Sequence, residues 1–188
     1  GGAGFIGSHL TQALLEAGCR VVVLDDLSSG SRGNFTAVEN RIRFLEGDVR
    51  DFEAVDAAAQ GCEAVFHLAA VVSVPRTVEE PLFSAMVNDV GTLHVFEAAR
   101  RQRAASLVFA SSSAAYGDDP RQPKHEALIP EPLSPYAVQK ITGEHYAGVY
   151  HRLFGIKTTS LRFFNVYGPR QDPGSPYSGV ISIFMDRA

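Results

Sequence analysis

The sequence predicts an α/β protein built as a doubly wound parallel sheet with helices on both faces. Three observations point there. Short apolar runs alternate with longer helix-patterned stretches along the 188 residues. Runs such as Val21-Val22-Val23-Leu24 are continuously apolar, as suits strands buried on both faces. The chain opens on a glycine-rich turn that runs directly into a helix pattern.

The elements follow in order. Ile6, Leu10, Ala13, Leu14 and Ala17 fall on one face of a helix over 5–17, which Gly18 ends. Val21–Leu24 is the first strand present. Ser28 to Asn34 is a loop rich in Ser and Gly. Arg43–Leu45 is the next strand, and Asp51 opens a second helix. Ala64–Leu68 is a third strand. Residues about 80–103 read as one long helix containing Gly91 and Thr92. Leu107–Ala110 is a fourth strand, followed by a Pro-rich loop from Asp118 to Pro132. Ser134-Pro135 starts a helix to about Phe154, proline being favoured in a first turn. Thr158–Phe163 is the fifth strand. Crossovers between these parallel strands are expected to be right-handed.

The ends look cut. No strand precedes Gly1, and the run 180–185 reads as the start of an uncapped helix. The expectation is a doubly wound sheet with its first strand missing and a small C-terminal domain mostly absent. Residues 1–165 would be the sheet domain, and 166–188 the start of the region that leads out of it.

Composition narrows the function. The net charge is −4 with no basic stripe, so there is no electrostatic footprint for nucleic acid. No apolar run approaches the ~18 residues of a membrane span. Two cysteines, Cys19 and Cys62, make no disulfide scaffold, and the six histidines show no zinc spacing. A cytoplasmic protein without a bound metal is expected.

Gly1-Gly2-Ala3-Gly4-Phe5-Ile6-Gly7 contains both G-x-G-x-x-G and G-x-x-G-x-x-G. Glycine lets backbone approach a pyrophosphate, and the helix behind offers free N–H groups and a positive dipole end. A purely structural turn would carry the same letters. Asp25 closes the next strand 18 residues after Gly7. An acid at that distance accepts hydrogen bonds from adenosine ribose hydroxyls and favours NAD over NADP. Asp26 could share the role, and a solvated turn acid is the plainer reading.

Tyr136 and Lys140 stand four apart on a predicted helix and so share a face. A phenol near pKa ~10 is a poor base, but a neighbouring ammonium and an oxidised nicotinamide favour its phenolate. Y-x-x-x-K is also common on ordinary helix surfaces. Ser111-Ser112-Ser113 lies just past a strand, at the carboxyl edge where doubly wound sheets bind ligands. No G-x-S-x-G elbow suggests a hydrolase.

Together these stretches resemble the extended short-chain dehydrogenase/reductases, and among them the NAD-dependent epimerase/dehydratase family, a Rossmann-type fold. The matching pieces are 1–10, Gly47-Asp48-Val49-Arg50-Asp51, His67-Leu68-Ala69-Ala70, Asn88 ahead of Gly91-Thr92, 111–117, 134–140 and 161–170. The resemblance implies that Gly1, Gly4, Phe5, Ile6 and Gly7 hold the cofactor phosphates and Asp25 the ribose. Asp48 and Val49 would hold adenine. Leu68, Ala69 and Ala70 would line the pocket, with Asn88 near it. Lys140 would contact the nicotinamide ribose, with Phe163 beside the nicotinamide. Ser112, Tyr136 and Lys140 would be catalytic. Ser112, Ser113, Tyr136 and Asn165 would meet the substrate, Asn165 at its phosphates.

Family dehydratases resemble Thr-Asp-Glu in the serine stretch, and decarboxylases carry a Glu there. Here Ser113 and Ala114 offer no carboxylate. The resemblance therefore implies 4-epimerisation of a UDP-sugar (UDP-GlcNAc, UDP-GlcNAcA or UDP-glucose type) through a 4-keto intermediate. The partner is a nucleotide-sugar substrate, and family members are commonly homodimers through helices corresponding to 80–103 and 134–154. A sugar-nucleotide reductase/dehydrogenase or decarboxylase and a non-catalytic NAD-binding module are the alternatives.

Overall fold

The computed structural model describes residues 1–171. The predicted helix start at 180–185 and most of the 166–188 region lie outside them. The chain forms two compact units, Gly1–Asp48 with the segment from Phe164, and Val49–Phe163.

In the first unit, α1 (Phe5–Glu16) leads to β1 (Val21–Asp25) and β2 (Ile42–Glu46). The two strands pair in parallel, from Val21 opposite Ile42 to Asp25 opposite Glu46. Ala3, Val23 and Phe35 form the buried centre, packed by Val21, Leu27, Val38, Ile42 and Phe44. Gly18 takes φ +82°, and the amides of Gly18 and Cys19 close on the carbonyls of Leu15 and Leu14. That is the predicted glycine stop.

The buried face of α1 differs from the predicted one. Gly7, Ser8, Thr11 and Leu15 are buried, whereas Ala13 and Ala17 are exposed. The glycine turn sets this rotation. A Cβ on Gly7 would lie 2.3 Å from the Gly1 carbonyl oxygen and 2.7 Å from the Gly2 Cα. The helix therefore presses its Gly7 side onto the turn, and positions 8, 11 and 15 follow on the same face.

In the second unit, α2 (Phe52–Ala59), β3 (Ala64–His67), α3 (Val74–Glu79), α4 (Pro81–Ala85), α5 (Gly91–Arg101), β4 (Ser106–Ser112), α6 (Pro135–Phe154) and β5 (Lys157–Phe163) follow in order. The parallel sheet runs β3-β4-β5. Phe96 of α5 and Leu107 and Phe109 of β4 are fully buried and centre its core. Asp51 caps α2 through the amides of Glu53 and Ala54, and Ser134 caps α6 through Ala137. Gly155 ends α6 in the left-handed region at φ +73°.

One expectation is corrected here, and one element is new. The helix read over about 80–103 is helical from Pro81 to Arg101, but residues Met86–Val90 widen into a π-turn between α4 and α5. A π-turn leaves no trace in the apolar period. Helix α3 is an element the periodicity does not predict, because six residues are too few for a stripe. Its signals are local: Ser73 caps the amide of Arg76, and Pro75 sits in the first turn.

Candidate active site

The glycine turn and Asp25 lie in the first unit. Gly4 caps α1 with φ −73° and offers no side-chain hydrogen bond. A Cβ there would meet only the Gly1 carbonyl oxygen, at 3.6 Å, which is ordinary contact. Neither packing nor backbone angle requires glycine at this position. The first-turn N–H groups of Phe5, Ile6 and Gly7 have no intrahelical acceptor, as in any helix. A bare backbone at a helix N-terminus fits a pyrophosphate.

Asp25 is 6% exposed. Its Oδ2 accepts from the amide of Ala3 at 2.8 Å and its Oδ1 from the amide of Leu27 at 2.9 Å. The acid thus ties the end of β1 to the glycine turn. Asp26 is exposed, and its Oδ1 accepts from the amide and hydroxyl of Ser28. Asp48 is half-buried, and Asn165 is exposed on the segment that follows β5.

The remaining candidates lie in the second unit. Ser112 ends β4, and Phe163 stands opposite it in the β4–β5 register. The Ser112 hydroxyl oxygen accepts from the amide of Ala114 at 3.1 Å. That leaves the serine O–H to donate, and Ser112 is the neighbouring group that favours the Tyr136 phenolate. Burial pushes the Tyr136 phenol up, and the Ser112 hydrogen bond pulls it partway back. The expected acidification of this phenol is therefore not a property of the protein alone.

Lys140 is 5% exposed and donates to the carbonyl oxygen of Ala110 at 2.7 Å. Its ammonium lies 5.6 Å from the centroid of the Tyr136 ring and 5.1 Å from that of Phe109. Burial lowers its pKa to about 8. Gly143 makes this approach possible, since a Cβ there would meet the Phe109 ring at 2.3 Å. Close contact between α6 and β4 brings the lysine onto the strand end.

Asn88 is buried in the π-turn, and its amide group is fully engaged. Its Oδ1 accepts from the Val71 amide at 2.8 Å. Its Nδ2 donates to the Val71 carbonyl at 3.0 Å and to Gln139 Oε1 at 2.7 Å. Asn88 thus acts through the backbone just after Leu68, Ala69 and Ala70, anchoring it to α6. Gln139 also donates to Ser84. Val49 is buried, and its carbonyl accepts from His94. Ser113 opens the turn Ser113–Tyr116 and is half-buried. Neighbouring His67, on β3, is held neutral by burial and then by Lys140, with its pKa lowered to about 3, and it contacts Thr92 at 2.9 Å. Among the described residues no three His, Cys, Asp or Glu side chains gather as a metal site, and no helix is long and apolar enough to cross a membrane.

Sequence reasoning missed Gln139, Glu144 and Arg162. Glu144 was findable: it continues the four-residue spacing of Tyr136 and Lys140.

Comparisons with known proteins show the family. The model of the NAD dependent epimerase/dehydratase family matches residues 1–188. A UDP-glucose 4-epimerase of Mycolicibacterium smegmatis is 43% identical over 190 residues, covering 99% of this chain and 60% of that protein. The structure of Thermus thermophilus UDP-glucose 4-epimerase in complex with NAD is 44% identical with a TM-score of 0.91, covering 100% of this chain and 60% of that one. A UDP-N-acetylglucosamine 4-epimerase from Methanobrevibacter ruminantium, in complex with UDP-N-acetylmuramic acid, is 39% identical with a TM-score of 0.93, covering 98% and 59%. The chain spans about 60% of the length of these relatives.

Proposed function

The chain belongs to the NAD dependent epimerase/dehydratase family, and from that premise we propose that the protein is an NAD-dependent 4-epimerase of a UDP-activated hexose. One observation carries the reading: the buried Lys140 ammonium lies 5.6 Å from the centroid of the Tyr136 ring, with Ser112, at the carboxyl end of β4, the group that favours its phenolate. This arrangement can take and return a proton at a sugar hydroxyl.

The residues present fit NAD. Gly4 leaves bare backbone at the start of α1, which packing does not explain. Gly1, Gly4, Phe5, Ile6 and Gly7 would hold the phosphates, and Asp25, with Asp26, the adenosine ribose. Asp48, Val49, Leu68, Ala69, Ala70, Phe163 and Lys140 would complete the cofactor site. When bound, NAD supplies reversible acceptance of hydride from the sugar C4.

Tyr136 takes the proton from the 4-hydroxyl and returns it after the 4-keto sugar has presented its other face. Ser112, fixed by the Ala114 amide, donates to the phenolic oxygen and steadies its charge. Lys140 supplies the nearby positive charge that favours the phenolate. Ser113, Asn165 and the bound nucleotide's surroundings would hold the substrate. The neighbouring Ser113 and Ala114 carry no carboxylate, which favours epimerisation over elimination. In the same reading residues 1–165 bind the dinucleotide, 166–188 begin the substrate region, and the protein is a cytoplasmic homodimer.

The test incubates the natural protein with UDP-glucose, UDP-N-acetylglucosamine and the UDP-glucuronate derivatives. Formation of 4-epimers without net reduced nicotinamide is the expected result, abolished in Tyr136→Phe. Stoichiometric NADH production or consumption would instead identify a net oxidoreductase.

A further inference from the structure

Glu144 takes no part in the chemistry above, yet it is the most heavily engaged carboxylate beside that site. Ser111 donates to its Oε1 at 2.5 Å. Arg162 forks onto it, Nε to Oε1 at 2.8 Å and Nη2 to Oε2 at 2.7 Å. Burial pushes the Glu144 carboxyl up, but Arg162 and Ser111 outweigh it and hold it below its usual range.

The placement of these contacts is regular. Tyr136, Lys140 and Glu144 recur every four residues on one face of α6. They meet three consecutive residues at the end of β4: Lys140 bonds the carbonyl of Ala110, Glu144 bonds Ser111, and Ser112 is the neighbour that favours the Tyr136 phenolate. Arg162 stands directly opposite Ser111 in the β4–β5 register, so the Glu144 contact also engages β5. The Arg162 guanidinium lies 4.7 Å over the ring of Tyr116, which ends the turn that Ser112 caps.

We propose that Glu144, held by Ser111 and Arg162, is a positioning residue that locks the register of α6 against β4 and so sets the Ser112–Tyr136 hydroxyl pair. The inference rests on the reading of Tyr136 as the proton-transfer group. Lys140, Glu144 and His145 of α6, Arg162 of β5 and the neutral His67 of β3 are the charged and titratable groups brought to this end of β4. The strand β4 and the turn Ser113–Tyr116 carry no charged side chain.

Charge and position can be separated. Removing Glu144 alone removes a negative charge, which by Coulomb's law favours the Tyr136 phenolate. Loss of register weakens the Ser112 bond and disfavours it. The charge-neutral double variant Glu144→Gln/Arg162→Met and the single variant Ser111→Ala therefore test position. Both are made in the natural protein. The Tyr136 titration is read as the ultraviolet difference against Tyr136→Phe in each background, alongside kcat, KM and the melting temperature.

The expected result is a rise of roughly half a unit or more in the Tyr136 titration, with kcat down roughly ten- to hundredfold and KM nearly unchanged. An unchanged titration with a lowered melting temperature would make the network merely structural and overturn the proposal. If the double variant fails to fold, Ser111→Ala decides by the same criteria. Wild-type protein lacking epimerase activity would defeat the functional reading, while the titration comparison would still decide the positioning role.

Discussion

Lys140 donates to the carbonyl oxygen of Ala110 at 2.7 Å, and this single bond holds a nearly fully buried ammonium beside the Tyr136 ring. Burial lowers the Lys140 pKa to about 8, against about 10 in an unfolded chain. Between those values the unfolded state binds a proton that the folded state lacks, so stability rises with pH there. Below pH 8 the penalty is present in full, on the order of 2–3 kcal/mol. Urea midpoints of wild type should therefore climb from about pH 8 toward 10, and those of Lys140→Met should not. The same variant should lose turnover by about a hundredfold or more.

The contact of α6 with β4 depends on Gly143, and a second glycine on the same helix supplies the control. A methyl at Gly143 would enter the Phe109 ring at 2.3 Å, whereas at exposed Gly148 nothing lies within 4 Å. Gly143→Ala should destabilise by about 1–3 kcal/mol through overpacking and lower kcat by moving Lys140. Gly148→Ala should stabilise by about 0.5–1 kcal/mol, the helix-propensity gain. Denaturant titration of both variants separates the two cases. Equal effects would show that the close approach of α6 is not limited by this glycine.

Much of the fold was legible because its signals are local. Five strands can be placed from the sequence, Val21–Leu24 as a continuous apolar run, and Ser134 and Pro135 mark the start of α6. Most of what apolar spacing does not register depends on contacts across turns and between elements. The rotation of α1 follows from Gly7 meeting Gly1 and Gly2 across a turn, which apolar spacing does not register. Glu144 draws its role from Ser111 and Arg162 on two different strands. The partners of Asn88, Val71 and Gln139, lie 17 and 51 residues away and leave no mark in the local sequence. The Ser112, Tyr136 and Lys140 grouping was legible because two of its members share a helix face and the third ends a strand.

Asn88 yields a third prediction. Its replacement by Ala leaves the Val71 amide and carbonyl and Gln139 Oε1 without their partner. Unsatisfied buried groups cost about 1–3 kcal/mol. Hydrogen exchange at the Val71 amide should accelerate, with a smaller change in the β4 amides. NAD affinity should fall if Leu68, Ala69 and Ala70 line the cofactor pocket. Unaltered exchange at Val71 would show that the segment is held by other contacts.

The glycine turn offers the sharpest separation of binding from folding. Gly4 and Gly7 stand three residues apart, but only Gly7 is required by the protein's own packing. Its Cβ would lie 2.3 Å from the Gly1 carbonyl oxygen, against 3.6 Å for Gly4. Gly7→Ala should lower stability by about 1–3 kcal/mol, since backbone must shift to admit the methyl. Gly4→Ala should lower stability less, by about 0.5–1 kcal/mol for the poorer N-cap, because φ −73° itself suits alanine. It should nevertheless weaken NAD binding by about tenfold or more, as the added methyl stands where backbone would approach the pyrophosphate. Calorimetric titration with NAD, beside a thermal melt, reads both quantities on each variant. If Gly4→Ala bound NAD as tightly as wild type, the phosphates would have to lie elsewhere, and only the N-cap preference for glycine over alanine would remain to explain the residue.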